Sequence, residues 1–560
     1  MRHEAPPDAR PGDRARRNTI SDAFRRSALR HAGRVALTFG ERRWTFADLD
    51  RAADRVAAGL IAAGLEPGDR LGAFGRNSDA YLVLWLACAR AGLIHVPINY
   101  ALTGRELRYI VGQSGARALV CDPGLQAAAH DALGRDAPLA LAGTFHGGLD
   151  FDVLALALAP GAGAGAAAAD TVAGGPPEVA VEDTGVAQLL YTSGTTAAPK
   201  GAMMTHRGLI AEYLSCIVEL GFGPADRALA ALPLYHTAQM HAFTMPQLLV
   251  GASTVLVEAP VPDLCLRLIE EHRLTSFFAP PTVWISLLRH PDFGTRDLSS
   301  LRQIFYGASI MPVPVLQELR ARLPGVQPFN CYGQSEIAPL ATVLRPEEHD
   351  ARPASAGRPV LNVQTRVVDP DMRDVPPGTP GEIVHRSPQL MLGYWDKPDE
   401  TRDAFEGGWF HSGDVGVFDE EGYLTIVDRI KDVIKTGGSM VASREVEEAL
   451  FTHPAVSEVA VIAVPDPKWI EAVTAVVVLR PGSEVGEAAL IEHARTQLAP
   501  YKLPKRVLFR DDLPRNTAGK LLKRELRALY ASAPPPDGAP ATAPEADAPV
   551  AHAGADAHAR

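Results

Sequence analysis

Along most of the chain, apolar positions fall in two alternating rhythms. Residues 46–63 repeat them at the spacing of a helix face, directly after Thr45, a residue type that caps helix starts. Two short apolar runs, 70–74 and 94–98, flank a second helical stretch over residues 80–91. The alternation continues through runs at 253–257 and 276–278 and helical patterns at 264–272 and 314–322. Short strands separated by helices predict βαβ units and sheets covered on both faces. Past residues 424–427 the pattern changes. Helix 443–452, strands 456–464 and 472–479, and helix 486–497 form a unit with its own apolar set. The chain therefore reads as an α/β protein in two parts. A large N-terminal lobe of several subdomains with mixed sheets spans residues 18–428, and a small, mobile α+β domain spans residues 429–530, with the junction near residues 428–431.

Residues 1–17 and 531–560 lack this periodicity and are expected to be disordered tails. Residues 157–177 are nearly all Ala, Gly and Pro and read as a loop within the large lobe. The most apolar stretch, residues 81–98, holds Arg90 and His95, which a membrane-spanning helix tolerates poorly. A formal charge of −11 on 560 residues argues against a nucleic-acid binder. Only the small domain is mildly basic, with 16 Lys and Arg against 13 Asp and Glu. Five scattered cysteines, Cys88, Cys121, Cys216, Cys265 and Cys331, contain no CxxC and read as buried thiols of a reducing compartment. The arginines near the N-terminus are followed by no apolar signal region, so the expectation is a cytoplasmic protein without a transmembrane segment.

The strongest local signal is Tyr191-Thr-Ser-Gly-Thr-Thr-Ala-Ala-Pro-Lys-Gly201. Its small, hydroxyl-bearing residues can turn N–H and O–H groups toward one anion, and Lys200 adds a point charge. It lacks the Gly-Lys-Ser/Thr order of a Walker A loop. Further strings follow: Leu232-Pro-Leu-Tyr-His-Thr-Ala-Gln-Met240, Tyr306-Gly-Ala-Ser309, Asn330-Cys-Tyr-Gly-Gln-Ser-Glu336, Gly408-Trp-Phe-His-Ser-Gly-Asp414, Asp428-Arg-Ile-Lys-Asp432, Lys435-Thr-Gly-Gly-Ser-Met440 and Leu513-Pro-Arg-Asn-Thr-Ala-Gly-Lys520. Any one of these alone reads as an ordinary turn or a solvated side chain. As an ordered set over residues 45–523, they resemble the acyl-adenylate-forming superfamily, and within it most of all bacterial fatty-acid and acyl-CoA synthetases.

The resemblance implies roles residue by residue. Thr192, Ser193, Gly194, Thr195, Thr196 and Lys200 would cradle ATP phosphates, and Gly307 and Ala308 would face adenine. Tyr332, Gly333 and Ser335 would also border the nucleotide, with Tyr332 along the base and serine standing where the family has threonine. Glu336 would hold Mg²⁺, Asp414 the ribose hydroxyls, and Arg429 the ribose and phosphates. Lys431 would be the hinge, and Gly437 and Gly438 would border CoA once the small domain turns. Lys520, His236 and Thr195 would be catalytic, Lys520 bridging the attacking carboxylate and the α-phosphate. His236, Met240 and Ile337 would line the acyl pocket. The strings Gly381-Glu-Ile-Val and Gly393-Tyr-Trp395 read as structural.

The implied reaction is AMP-forming ligation of a carboxylic acid to CoA, with ATP, Mg²⁺ and CoA required. Residues 232–250 contain no acid to pair with a substrate ammonium, so an apolar fatty, aryl or alicyclic acid is expected instead of an amino acid. Loading of a carrier-protein thiol, or an ATP-binding homologue without turnover, are the alternatives, and the assembly is expected to be a monomer or homodimer. Two positions depart from the family: Ala197 and Ile470 stand where relatives have glycine, Ile470 in what reads as a peripheral turn.

Overall fold

The computed structural model describes residues 13–134, 139–159, 179–192, 198–309, 311–436, 439–516 and 521–531. Thr45 opens the helix Phe46–Ala62 through a reciprocal capping box, its hydroxyl accepting the Asp48 N–H and the Asp48 carboxylate accepting the Thr45 N–H, each at 3.1 Å. Phe46, Leu49, Ala53, Val56 and Leu60 then share one buried face. This face packs against the helix Asp79–Ala91, which is buried along its whole length. That burial is why residues 81–98 read as so apolar. The helix keeps two charges because both are compensated. Asp79 accepts from Arg42 at 2.6 Å and from the Trp44 indole at 2.8 Å, while Arg90 reaches Asp50 at 2.6 Å and Asp54 at 2.8 Å. Among the described residues, no helix is long and apolar enough to cross a membrane.

Three sheets build the described large lobe. One runs in the order Phe151–Asp152, Leu141–Thr144, Ala118–Cys121, Arg70–Phe74, Ile94–Ile98, Val186–Thr192, Lys200–Thr205, with every pair parallel except the last hairpin. A second has a parallel centre of Ser253–Leu256, Arg227–Ala230, Ser276–Phe278, Gln303–Gly307 and Gln327–Gly333. The third is antiparallel and joins Gln364–Val368, Gly381–Arg386, Phe410–Phe418 and Leu424–Arg429. Strand ends at residues 192, 307 and 333 open toward the site, the usual place for ligands beyond the carboxyl ends of parallel strands.

The small domain is built on the long hairpin Val456–Asp466 and Ile470–Leu479. Val461, Val473, Ala475 and Val477 face the helices Ser443–Phe451 and Glu487–Arg495, whereas Ala460, Ile462, Val476 and Val478 face Leu526 of the helix Lys523–Tyr530. Covering both faces turns the strand pattern into nearly continuous hydrophobic runs. The two lobes touch where Arg289 donates to Ser457 Oγ at 2.7 Å, and where the Ser443 N–H and O–H donate to Asp428 Oδ2 at 2.6 and 2.8 Å.

The structure differs from the sequence reading at the margins. Within the expected tail to residue 17, Asp13–Arg16 is helical and Arg17 pairs with Asp22 at 2.9 Å. The helix Val153–Leu158 takes the first positions of the expected loop 157–177, of which residues 160–177 lie outside the described set, as do residues 532–560 of the C-terminal tail. An unpredicted π-helical turn, Ala238–Thr244, begins within the 232–240 string. Its wider spacing falls between the two rhythms that a periodicity search detects. All five cysteines are buried free thiols.

Candidate active site

The hairpin of Val186–Thr192 and Lys200–Thr205 closes with Thr192 opposite Lys200. Ser193, Gly194, Thr195, Thr196 and Ala197 between them lie outside the described residues. Residues 391–395 run beside this hairpin, with the Trp395 N–H donating to the Gly201 carbonyl at 2.7 Å and the Met203 N–H to the Gly393 carbonyl at 2.9 Å. That alignment brings Tyr394 over Lys200, whose Nζ sits 5.0 Å from the ring centroid, a cation–π contact.

A five-residue segment, 332–336, collects the site's two carboxylates. At its far end the Glu336 Oε1 accepts from the Thr192 hydroxyl at 3.1 Å and from the Tyr394 hydroxyl at 3.2 Å. The Met391 N–H holds the Glu336 carbonyl at 2.9 Å. At its near end Tyr332 donates to Asp414 Oδ2 at 2.8 Å, and Gln334 donates to the same oxygen at 3.0 Å. Asp414 and Arg429 face each other across the antiparallel strands Phe410–Phe418 and Leu424–Arg429, but their side chains approach only to 3.5 Å. Asp414 Oδ2 is thus occupied while Oδ1 holds a loose ion pair. A carboxylate accepts up to about four hydrogen bonds, so capacity remains for a pair of vicinal hydroxyls. Burial and the Asp414 charge push the Tyr332 phenol well above its ordinary range, and burial and Glu336 do the same for Tyr394. Both phenols therefore remain donors.

Close backbone approach fixes the site's floor. A Cβ on Gly307 would stand 2.2 Å from the Cys331 carbonyl oxygen, and one on Gly333 would stand 1.8 Å from the Pro339 oxygen. Gly307 thus serves strand pairing, and Ala308 holds a left-handed backbone at φ 62°. Ser335 Oγ lies 3.1 Å from Thr237 Oγ1, tying the segment to the turn after His236. The ring of His236 lies 4.7 Å from that of Tyr235, while Met240 and Ile337 are wholly buried. Lys431 sits past the Arg429 strand, its ammonium pushed below the usual lysine range by partial burial and by Arg429 and Arg527. Gly437, Gly438 and Lys520 lie outside the described residues.

Among the described residues, no group of three His, Cys, Asp or Glu side chains could hold a metal by itself. Glu336 and the Thr192 hydroxyl form an all-oxygen donor set, which suits a hard cation arriving with phosphate ligands of its own. The sequence reading missed Gln334 and Thr237, and it took Tyr394 as purely structural. Gln334, Thr237 and Tyr394 each lay inside a string already singled out, so membership of those strings was the signal available.

The fold and this site define a two-lobed nucleotide-handling enzyme. The AMP-binding enzyme family matches residues 24–395, and the AMP-binding enzyme C-terminal domain matches residues 445–520; the chain belongs to this family. It is 38% identical over 504 residues to a feruloyl-CoA synthase of Amycolatopsis sp, covering 90% of this chain and 96% of the relative. It is 34% identical over 539 residues to a long-chain-fatty-acid–CoA ligase of Escherichia coli O6:H1, covering 91% and 94%. The structure of the anthranilate CoA ligase AuaEII in complex with anthranoyl-AMP superposes with a TM-score of 0.84 at 27% identity, covering 92% of this chain and 97% of that one.

Proposed function

We propose that the protein is an AMP-forming ligase that joins an apolar carboxylic acid to the thiol of CoA, using ATP. The single observation that carries the reading is the segment 332–336. It offers Tyr332 and Gln334 to Asp414 at one end and Glu336 to Thr192 and Tyr394 at the other. A nucleotide lying along it meets an acceptor for ribose hydroxyls and then an acidic site at the phosphates. The names of the relatives, an aryl-CoA synthase and a fatty-acyl-CoA ligase, support the acid class.

A carboxylate has no usable leaving group until it is activated. Its oxygen attacks the α-phosphorus of ATP, the bond to the β-phosphate oxygen breaks, and pyrophosphate leaves. Anion meets anion in this step, so the barrier falls by alignment and by positive charge placed where charge develops. Lys200 and Lys520 supply that charge, Asp414 and Arg429 hold the ribose, and Tyr332 lies along the base. Glu336 with Thr192 would hold Mg²⁺, which neutralises phosphate charge when bound. In the second step the CoA sulfur attacks the acyl carbon and AMP leaves, after rotation about Lys431 withdraws Lys520 and brings Gly437 and Gly438 to the tunnel. Consumption of ATP and CoA suits a cytoplasmic enzyme.

The test is acid-dependent pyrophosphate release across alkyl, aryl and alicyclic acids, with and without CoA. The expected outcome is AMP and pyrophosphate in every productive case and thioester only when CoA is present. Release of ADP, or turnover independent of the acid, overturns the reading.

A further inference from the structure

Behind the site, four polar side chains form an unbroken chain through a dry core. Tyr213 OH lies 2.8 Å from His241 Nδ1, His241 Nε2 lies 2.8 Å from Gln188 Oε1, and Gln188 Nε2 lies 3.0 Å from His95 Nδ1. None of the four is more than 1% exposed. Their surroundings are aromatic: the His241 ring stacks on Tyr213 at 17°, and Trp85 meets both His95 and His241 edge-on at 5.4 Å.

The chain has one direction. The Gln188 amide donates to His95 Nδ1, which leaves the His95 proton on Nε2, a buried atom with no acceptor. The Gln188 carbonyl accepts from His241 Nε2–H, so His241 Nδ1 is an acceptor and Tyr213 donates to it. Burial pushes both imidazoles down to about 3, which keeps them neutral. One amide orientation therefore sets both tautomers.

What the chain connects matters. Gln188 belongs to the strand Val186–Thr192 that feeds the phosphate loop, and His241 belongs to the π-helical turn Ala238–Thr244. If that turn slipped by one residue, Met240 or Ala242 would replace His241. Tyr213 O–H and the Gln188 carbonyl would then lose their partners where no water reaches them, a costly loss in a low-dielectric core. The observed register gives both of these groups a partner, and in it Met240 is wholly buried while Thr237 Oγ1 lies 3.1 Å from Ser335 Oγ. π-Turns of this kind cluster at functional sites.

We propose that His241 and Gln188 are positioning residues which, with Tyr213 and His95, lock the acyl-pocket turn in one register against the phosphate-loop strand and so set which acids fit. The proposal rests on the acyl-pocket reading of Met240 given above.

The experiment measures acid-dependent pyrophosphate release over a graded series of aryl and alkyl acids, with KM for ATP and melting temperature alongside. Tyr213→Phe removes a single hydroxyl and raises KM for the acid about three-fold. Gln188→Leu raises it about ten-fold and flattens the ranking of acids, as loss of alignment does, while KM for ATP moves under about two-fold. A fully apolar version, Tyr213→Phe with Gln188→Leu, His95→Leu and His241→Phe, regains the parent melting temperature but not its ranking of acids. That split separates specifying a register from merely stabilising the fold. The proposal is overturned if the apolar version recovers the parent ranking, or if Gln188→Leu disturbs ATP as much as the acid. Should the apolar version fail to fold, Tyr213→Phe decides alone, and an unchanged acid KM there overturns it. Met240→Ala runs in parallel. If it leaves the ranking untouched while the chain variants alter it, the Met240 reading fails and the chain's role stands.

Discussion

The proposed nucleotide half and the proposed acyl half of the site are built on opposite plans. On that nucleotide side, Thr192, Tyr332, Gln334, Glu336 and Asp414 meet through hydrogen bonds, and Arg429 approaches Asp414 to 3.5 Å. On the proposed acyl side, Met240 and Ile337 are buried among apolar neighbours, and behind them Tyr213, His241 and Gln188 hydrogen-bond to one another. Under the proposed function, the first half would recognise groups that every turnover shares, and the second would recognise shape through a fixed wall. The difference would then place catalysis in side chains that await a partner, and selectivity in side chains that already have one.

The largest effect should come from the small domain. Lys520→Ala is expected to lower acyl-AMP formation about 10³-fold, the scale for losing one transition-state donor. Thioester formation from supplied acyl-AMP should fall under about ten-fold. Single-turnover assays of the two steps check this, and an equal loss in both removes the rotation. A pair of variants then tests the division directly. Asp414→Ala is expected to raise KM for ATP about 100-fold while leaving the ranking of acids intact, since it removes a charged acceptor. Met240→Ala should shift the acid ranking about ten-fold with KM for ATP within about two-fold. If each variant disturbs both substrates alike, the site has no two halves.

That the residues of the proposed nucleotide half meet was legible in part because several are neighbours in sequence. Tyr332, Ser335 and Glu336 share one string, and the strand pair that faces Asp414 with Arg429 is a simple hairpin. The capped helix Phe46–Ala62 and the strands Arg70–Phe74 and Ile94–Ile98 were equally plain, since their apolar spacing is set by local geometry. The polar chain behind the acyl half gave no such signal. His95, Gln188, Tyr213 and His241 lie far apart in the chain, and each one alone reads as a stray polar residue in an apolar run. Tyr394 needed the pairing of residues 391–395 along the hairpin before its hydroxyl could be seen to reach Glu336.

The two halves also bear on how stability depends on pH. Burial holds His95, His241 and His385 down to about 3 and His206 down to about 4, against an unfolded value near 6.5. The unfolded chain takes up protons below 6.5 that the folded chain refuses, so this contribution is complete above 6.5 and is lost on acidification. Each such proton contributes a slope of about 1.4 kcal/mol per pH unit. Glu212 runs the other way. It is buried beside Gln389 and the Leu340 N–H, and burial raises its carboxyl to about 8. Its folded form keeps a proton between about 4.5 and 8 that the unfolded form has released, so its contribution falls as pH rises through that window. Melting temperature should therefore peak near pH 6.5, dropping steeply on the acid side and gently on the alkaline side. Glu212→Gln should flatten the alkaline limb and steepen the acid limb between about 4.5 and 6.5. A profile with no acid limb would mean that burial does not hold these four imidazoles neutral.

The smallest effect concerns a residue outside both halves. Ile470 holds φ at 69°, a left-handed backbone that a β-branched side chain adopts only under strain. The same side chain is 70% exposed, so it contributes little packing in return. The turn is less peripheral than its sequence suggests, because Ile470 pairs with Thr436, directly before the 437–438 loop. Placing an L-residue there costs about 1–2 kcal/mol, and the extra freedom of glycine in the unfolded chain returns part of that gain. Ile470→Gly should thus stabilise the small domain by about 0.5–1 kcal/mol, read as slower amide exchange along Val456–Asp466 and Ile470–Leu479. Adenylation and the ranking of acids should not move, since neither half of the site touches this turn. If the variant instead destabilised the domain, contacts of the exposed isoleucine would outweigh its backbone strain. If it changed the acid ranking, selectivity would reach into the small domain, and the comparison between the two halves would have to be redrawn around three.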